Sequence, residues 1–180
     1  MAPMQYPSLA QVLERYDVCV TALEQRQRLG QTTLMSLPEF AGMSFAEILA
    51  TLTTARIELE GWGVLFLSAA AEADLRRDLA TRDARSKGDP IRDAAQQLSV
   101  DSDRRPRLED LVDFWRRETA ETGHGPGSRF KSLLKRRHWL AHGRSWPDKS
   151  GVPIDVADAW SRVSQFYARI RAVDPEFPRL

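Results

Sequence analysis

The chain has 180 residues, 42% of them hydrophobic and 28% charged, with a formal net charge of +1. These values suit one soluble globular domain, and the near-zero charge argues against a general nucleic-acid coat or a membrane-surface protein. Cys19 is the single cysteine, which excludes an internal disulfide and fits a reducing cytoplasm. The N-terminus does not resemble a secretory signal. The longest uncharged apolar run has 11 residues, between Glu60 and Glu72, and is too short to cross a bilayer.

The N-terminal segment predicts one helix followed by a loop. Ser8 and Gln11 form a capping box, and the apolar residues after it have the spacing of a helix that continues to about Leu29. Residues 31–43 contain proline and glycine and predict a loop. Apolar side chains within this loop indicate that it lies on the body of the protein.

A second capping box, formed by Ser44 and Glu47, opens a long helix that we expect to continue to about Arg85. Gly61 and Gly63 lie within it, where they indicate either a kink or the close approach of another helix. The segment after Gly63 is apolar nearly all round and predicts a central buried helix.

The second half of the chain predicts further helices. Asp89 followed by Pro90 is typical of a helix start, and this helix should end near Leu98, before a polar loop over residues 100–105. The next helix is predicted by an apolar stripe that comprises Leu108, Leu111, Val112 and Trp115.

A glycine-rich loop over residues 121–127 precedes a basic helix, which we expect Ser128 to cap and Gly143 to end. The inward face of this helix is predicted to comprise Phe130, Leu133, Leu134 and Ala141. Asp155 should cap the last helix, whose stripe comprises Val156, Trp160, Val163, Tyr167 and Ile170.

The sequence as a whole predicts an all-α fold, a compact bundle of five to seven helices, because no segment alternates polar and apolar residues as a strand does. We divide the chain into an N-terminal helix and loop packed on the body (residues 1–43), a helical domain (44–174) and a tail (175–180).

The titratable and anion-binding groups of the chain are concentrated in one acid-free window. No Asp or Glu occurs between Gly123 and Asp148, and the three histidines, His124, His138 and His142, all lie there. His124, in the glycine-rich loop, is expected to be exposed. The same window holds the basic residues Arg129, Lys131, Lys135, Arg136, Arg137 and Arg144.

The run from Arg137 to Gly143, Arg-His-Trp-Leu-Ala-His-Gly, resembles the signature of the HEPN superfamily. The compact α-helical domains of that family carry an arginine, four to six further residues and then a histidine. A polar residue commonly follows the arginine, as His138 does here, and many members have glycine after the histidine. The order of elements is also similar over roughly residues 44–172. The resemblance implies a two-fold homodimer in which two motifs meet.

The resemblance further implies a metal-independent endoribonuclease in a toxin–antitoxin or antiviral setting. Its substrate would be RNA, it would need no cofactor, and in the toxin setting an antitoxin protein would be its partner. The 2′-OH of RNA attacks the adjacent phosphate in such enzymes, which leaves a 2′,3′-cyclic phosphate and a 5′-OH.

Physical chemistry suggests a role for each motif residue. Histidine suits acid–base work near neutral pH, and arginine stays charged and binds phosphate bidentately. We therefore assign His142 to general acid–base chemistry and Arg137 to stabilising the phosphorane. His138 would orient the phosphate or the other motif.

Four further residues have expected supporting roles. Lys135, Arg136 and Arg144 should attract the substrate. Glu72, directly after the apolar run, is a candidate to hold Arg137 by a charge-assisted hydrogen bond, with an ordinary surface salt bridge as the simpler alternative.

An ideal helix separates Arg137 from His142 by about 140°, whereas His138 and His142 share a face. We therefore expect a composite site that a second copy of the chain completes. A subset of HEPN toxins has a tyrosine two residues after the motif histidine, which a partner nucleotidyltransferase modifies. Arg144 stands there in this chain, so that route of inactivation is not expected.

Other interpretations of the window stay open at this point. The arginines could form a solvated basic face, with His142 a helix-terminal cation. His138 and His142 have the spacing of metal ligands, but Trp139 stands where a zincin has Glu, and no third ligand is evident. The domain could also be a non-catalytic module that binds RNA, a nucleotide or a partner protein, or a regulatory domain without a nucleic-acid role.

Overall fold

A computed structural model describes residues 7–82, 90–101, 106–142 and 154–178 of the chain. These residues form seven α-helices and no strand, which confirms the predicted all-α class for this part of the chain. The helices are α1 (Leu9–Gln27), α2 (Gln31–Met35), α3 (Phe45–Arg82), α4 (Pro90–Asp101), α5 (Leu108–Glu118), α6 (Pro126–Ala141) and α7 (Val156–Val173). None of the helices in the described ranges has the length and hydropathy needed to cross a membrane.

Helix α3 is the centre of the fold, because each of the other six α-helices contacts it. It continues without a break through Gly61 and Gly63. A Cβ atom on Gly63 would lie 2.4 Å from Cγ2 of Val156 and 3.0 Å from the ring of Tyr16. Gly63 therefore permits α1 and the start of α7 to approach α3 closely. From the sequence, Gly61 and Gly63 indicated either this close approach or a kink.

The core is rich in aromatic side chains from α5, α6 and α7. Trp115 and Tyr167 are each almost fully buried, and both contact the ring of Phe177 edge-on, with centroids 5.5 Å and 4.9 Å from it. Phe177 is only 1% exposed, although it lies in the segment that the sequence predicts as a tail. The residues after α7 thus contribute a side chain to the core.

The segment 31–43 is more ordered than the loop predicted from the sequence. It contains α2 and a 3-10 turn at Pro38–Phe40. Leu34 and Phe40 are buried in a small cluster with Ile48 of α3. This apolar contact stabilises the short helical turns and places them against α3.

The start of α6 also differs from the prediction. Gly125 is the N-cap and Pro126 begins the helix, because proline already has the backbone angle of a first helical residue. The hydroxyl of Ser128, expected to cap the helix, donates to the carbonyl oxygen of Gly123 at 2.8 Å. At the C-terminal end of α6, Ala141 was predicted to face inward but is exposed. Leu140 is buried in its place, since its longer side chain reaches the core.

The apolar segment after Gly63 predicted a central buried helix, but one side of α3 is exposed there. Phe66 is 52% exposed and stacks on Trp62, which is 57% exposed, with ring centroids 6.0 Å apart. Helix α4 extends past the predicted end at Leu98 to Asp101, so part of the predicted polar loop is helical. Four residues for which we made predictions lie outside the described ranges, namely Arg85, Asp89, Gly143 and Arg144.

Candidate functional site

The N-terminus of α6, the helix that carries the motif, is fixed by Glu121. Its carboxylate accepts hydrogen bonds from the backbone N–H groups of Gly127 at 2.7 Å and Ser128 at 3.0 Å. Nε of Arg116 donates to the same carboxylate at 3.1 Å, and the Glu121 side chain is only 3% exposed. Because the N-cap, Gly125, has no side chain, Glu121 supplies the acceptors that the first N–H groups of a helix require.

Two basic residues of α6 contact the neighbouring helices α5 and α7. Nζ of Lys131 lies 2.5 Å from a carboxylate oxygen of Asp113 on α5. Nη1 of Arg129 donates to the side-chain oxygen of Gln165 on α7 at 3.2 Å. These residues are therefore part of the contacts that orient α6 between α5 and α7.

Arg137 contacts Glu72 on α3, with Nη2 at 2.9 Å from Oε2. The other oxygen of Glu72 accepts hydrogen bonds from Nε and Nη2 of Arg76, at 3.0 Å and 2.8 Å. The contact considered from the sequence is therefore present, and Glu72 also forms a salt bridge within its own helix. The Arg137 side chain remains 38% exposed, so a ligand in solvent can approach it.

His138 and His142 lie side by side at the C-terminal end of α6, as their spacing predicted. Their ring centroids are 4.2 Å apart, with the ring planes tilted by 54°, and both residues are exposed. His142 is the C-cap, and its backbone N–H points to the carbonyl oxygens of His138 and Leu140. Two exposed imidazoles at this separation can contact one bound phosphate.

Of the residues expected to attract the substrate, Lys135 is exposed and Arg136 is partly buried. The guanidinium carbon of Arg136 lies 4.4 Å from the ring centroid of Trp139, in a cation–π arrangement. Both side chains line a cavity of about 270 Å³ that also contacts Glu60 and Asp155.

The carboxylates at this cavity have structural partners. Glu60 accepts hydrogen bonds from the hydroxyl of Tyr16 and from the backbone N–H of Val156, and so links α1, α3 and α7. Asp155 caps α7 by accepting from the backbone N–H of Asp158 at 2.7 Å, as the sequence predicts. The cavity therefore lies at a junction of helices that these carboxylates hold together.

The structure thus forms two groups of predicted site residues, His138 with His142 and Arg137 with Glu72. Sequence reasoning missed Arg76, whose one signal is its i, i+4 spacing from Glu72. His124 is exposed in its loop, as predicted. Within the described ranges, no group of three or more His, Cys, Asp or Glu side chains is arranged to hold a metal ion.

Comparisons of this chain with protein-family models, with curated proteins and with solved structures found no match. The resemblance to the HEPN superfamily therefore rests on the motif residues and their helical context.

Proposed function

We propose that this protein is a metal-independent endoribonuclease of HEPN type, in which Arg137, His138 and His142 act on RNA. The observations that carry the proposal are the exposed pair of imidazoles on α6, with ring centroids 4.2 Å apart, and an arginine of the same helix that Glu72 of α3 contacts. Acid–base groups next to a fixed cation are what metal-independent phosphodiester cleavage requires. A toxin or antiviral role is part of the proposal on the strength of the motif resemblance alone.

In the proposed reaction the 2′-oxygen of a ribose bonds to the adjacent phosphorus and the bond from phosphorus to the 5′-oxygen breaks. His142 carries the acid–base work, which removes the proton of the 2′-OH and protonates the departing 5′-oxygen. Arg137 stabilises the negative charge that builds on the phosphorane oxygens. His138, in contact with His142, orients the phosphate.

The proposed site is composite, with Arg137 from one chain and His142 from its partner. The two residues are about 140° apart around an ideal helix, and the contact with Glu72 draws Arg137 toward α3. A second α6 in a two-fold homodimer can supply the histidines that one chain places on a different side from its arginine.

Cleavage of RNA in the presence of EDTA tests the catalytic assignment. Relative to wild type, we expect His142→Ala to lower the rate by about 10²-fold or more, and Arg137→Ala by about 10²- to 10³-fold. The matched control is His124→Ala, which removes an exposed histidine outside α6 and should leave the rate within about two-fold. Equal rates for wild type and His142→Ala would overturn the proposal, and RNA binding without cleavage would favour a non-catalytic module.

Mixing two inactive variants tests the composite site. In a mixture of Arg137→Ala and His142→Ala, half of the dimers are mixed and each mixed dimer has one intact site, so about a quarter of the wild-type activity should return. Light scattering shows whether dimers form. An inactive mixture in which mixed dimers are present would place Arg137 and His142 of a single chain in one site instead.

A further inference from the structure

The contacts that hold Arg137 extend beyond Glu72 to a third element of the fold. One oxygen of Glu72 lies 2.9 Å from Arg137, and the other accepts two hydrogen bonds from Arg76. Nη1 of Arg76 in turn donates to the carbonyl oxygen of Pro106, just before α5, at 3.0 Å. One carboxylate therefore bridges two guanidinium groups, and the second of these is fixed to the main chain.

This arrangement differs from an ordinary salt bridge on a helix surface. An isolated i, i+4 pair is weakly coupled and leaves both side chains mobile. Here Nε, Nη1 and Nη2 of Arg76 each have an acceptor, and these acceptors belong to α3 and to the segment before α5. The carboxylate held in this way then contacts α6 through Arg137. Three elements thus determine where the guanidinium of Arg137 lies.

The charges of the three side chains explain why a second arginine is useful. A carboxylate paired with Arg137 alone would orient the guanidinium but would also cancel its charge toward an incoming phosphate. With Arg76 present, two positive charges and one negative charge leave a net charge of +1. The side chains of Arg76, Glu72 and Arg137 are 44%, 20% and 38% exposed, so the net positive charge attracts an anion in solvent.

We propose that Arg76 is a positioning residue of the ribonuclease site, which fixes Glu72 so that Glu72 orients Arg137, and which restores the positive charge that Glu72 cancels. This inference rests on the proposed function of Arg137. Arg76 acts through its neighbours and through its field, without contact with the reacting atoms.

Steady-state kinetics on RNA separate the two parts of this role. Arg76→Gln removes the charge and the contacts, and should raise KM about five-fold, by the loss of one nearby charge in a solvated site, and also lower kcat. Arg76→Lys keeps the charge but cannot bind Glu72 and the Pro106 carbonyl together, so it should lower kcat about ten-fold with KM within two-fold of wild type. Glu72→Gln adds net positive charge and should lower both KM and kcat.

The matched control is Arg77→Gln, which removes the adjacent arginine of the same helix. Arg77 is 56% exposed and pairs with Asp74 at 2.8 Å, outside the contacts of Arg137. Both kinetic constants of this variant should stay within about two-fold of wild type. Kinetic constants of Arg76→Gln that match those of Arg77→Gln would overturn the inference.

A double-variant cycle shows whether Arg76 acts through Glu72. If it does, kcat of Glu72→Gln/Arg76→Gln should be no lower than kcat of Glu72→Gln alone, because the orienting contact is already lost. Effects on kcat that multiply would show that Arg76 acts independently of Glu72.

Two further measurements keep the two proposals distinguishable. An active enzyme that is sensitive to Arg137→Ala but has normal kinetics with Arg76→Gln contradicts the inference alone, whereas an enzyme indifferent to Arg137→Ala contradicts the proposed function. Denaturation gives a readout without activity: the coupling in unfolding free energy between Glu72 and Arg137 should fall when Arg76 is replaced by Gln or Lys. An unchanged coupling would contradict the positioning role.

Discussion

At the scale of single residues, Asp74 shows how burial disfavours the charged form of a carboxyl group. Burial raises the pKa of Asp74, although the Arg77 guanidinium, 2.8 Å from Oδ1, and the hydroxyl of Tyr167 favour the charged form. Burial and the nearby carboxylate of Asp74 also raise the pKa of Tyr167. The desolvation of the Asp74 carboxylate therefore outweighs the interactions that its neighbours supply.

Asp74→Asn should change how stability depends on pH. A carboxyl group with a raised pKa in the folded state favours folding when protonated. This contribution is complete below the ordinary pKa of 3.8 and is lost as pH rises through the folded value. Asparagine keeps an acceptor for the Tyr167 hydroxyl and removes the charge. We therefore expect the unfolding free energy of the variant, minus that of wild type, to increase from about pH 4 to about pH 7. A difference that decreases over this range in chemical denaturation would contradict the assignment.

The site residues differ in how far the sequence could identify them. The contact between His138 and His142 follows from the helical repeat alone, so their spacing was sufficient. Glu72 could be suggested only by its place after the apolar run, since its contact with Arg137 depends on how α6 packs on α3. Arg76 could not be identified, because its role requires the position of the Pro106 carbonyl oxygen.

At the scale of elements, α6 illustrates a cap that comes from outside the helix. The sequence suggested Ser128, by the ordinary preference for serine at a helix start, but Glu121 supplies the acceptors from the preceding loop. The first turn of α6 requires glycine at position 127, where a Cβ atom would lie 2.4 Å from Cγ of Arg116. The starts of α1 and α7 were predictable because their caps, Ser8 and Asp155, are adjacent to them in the sequence. The cap of α6 was not, because it depends on a contact formed in the folded state.

Glu121→Ala should destabilise the protein by about 2 kcal/mol, because it leaves two helix-terminal N–H groups without their acceptor and removes the carboxylate that Nε of Arg116 contacts. Urea denaturation measures the change. The matched control is Glu58→Ala on the exposed face of α3, which should change the unfolding free energy by less than about 0.5 kcal/mol. Equal effects of the two substitutions would show that Glu121 is not the cap of α6.

At the scale of the whole molecule, a buried ion cluster joins the C-terminal ends of α3 and α7. Arg82 is fully buried, donates to Asp78 at 2.8 Å and 2.9 Å, and also pairs with Asp174. Its guanidinium carbon lies 4.6 Å from the ring centroid of Trp115. The same region holds Phe177, so charge pairing and aromatic packing together hold the C-terminal residues on the bundle.

Arg82→Met should destabilise the protein by about 3–5 kcal/mol, because it removes the buried guanidinium that contacts both Asp78 and Asp174. The triple variant Arg82→Met/Asp78→Asn/Asp174→Asn also removes the two buried carboxylate charges and should recover most of this loss. Chemical denaturation at neutral pH compares the two. A triple variant less stable than Arg82→Met would show that the carboxylates stabilise the fold independently of Arg82.

The composite site that we propose also belongs to the scale of the whole molecule, and the chemistry proposed for it can be read from its products. The most direct measurement is to incubate the protein in EDTA with a defined oligoribonucleotide and, separately, with the same strand carrying 2′-deoxyribose at the cut positions. Mass spectrometry then identifies the ends of the products. We predict that the ribonucleotide yields 2′,3′-cyclic phosphate and 5′-OH ends, and that the deoxy-substituted strand stays intact, because the attacking 2′-OH is missing. Cleavage of the deoxy-substituted positions, or products with 3′-OH and 5′-phosphate ends, would contradict the proposed role of Arg137 and His142.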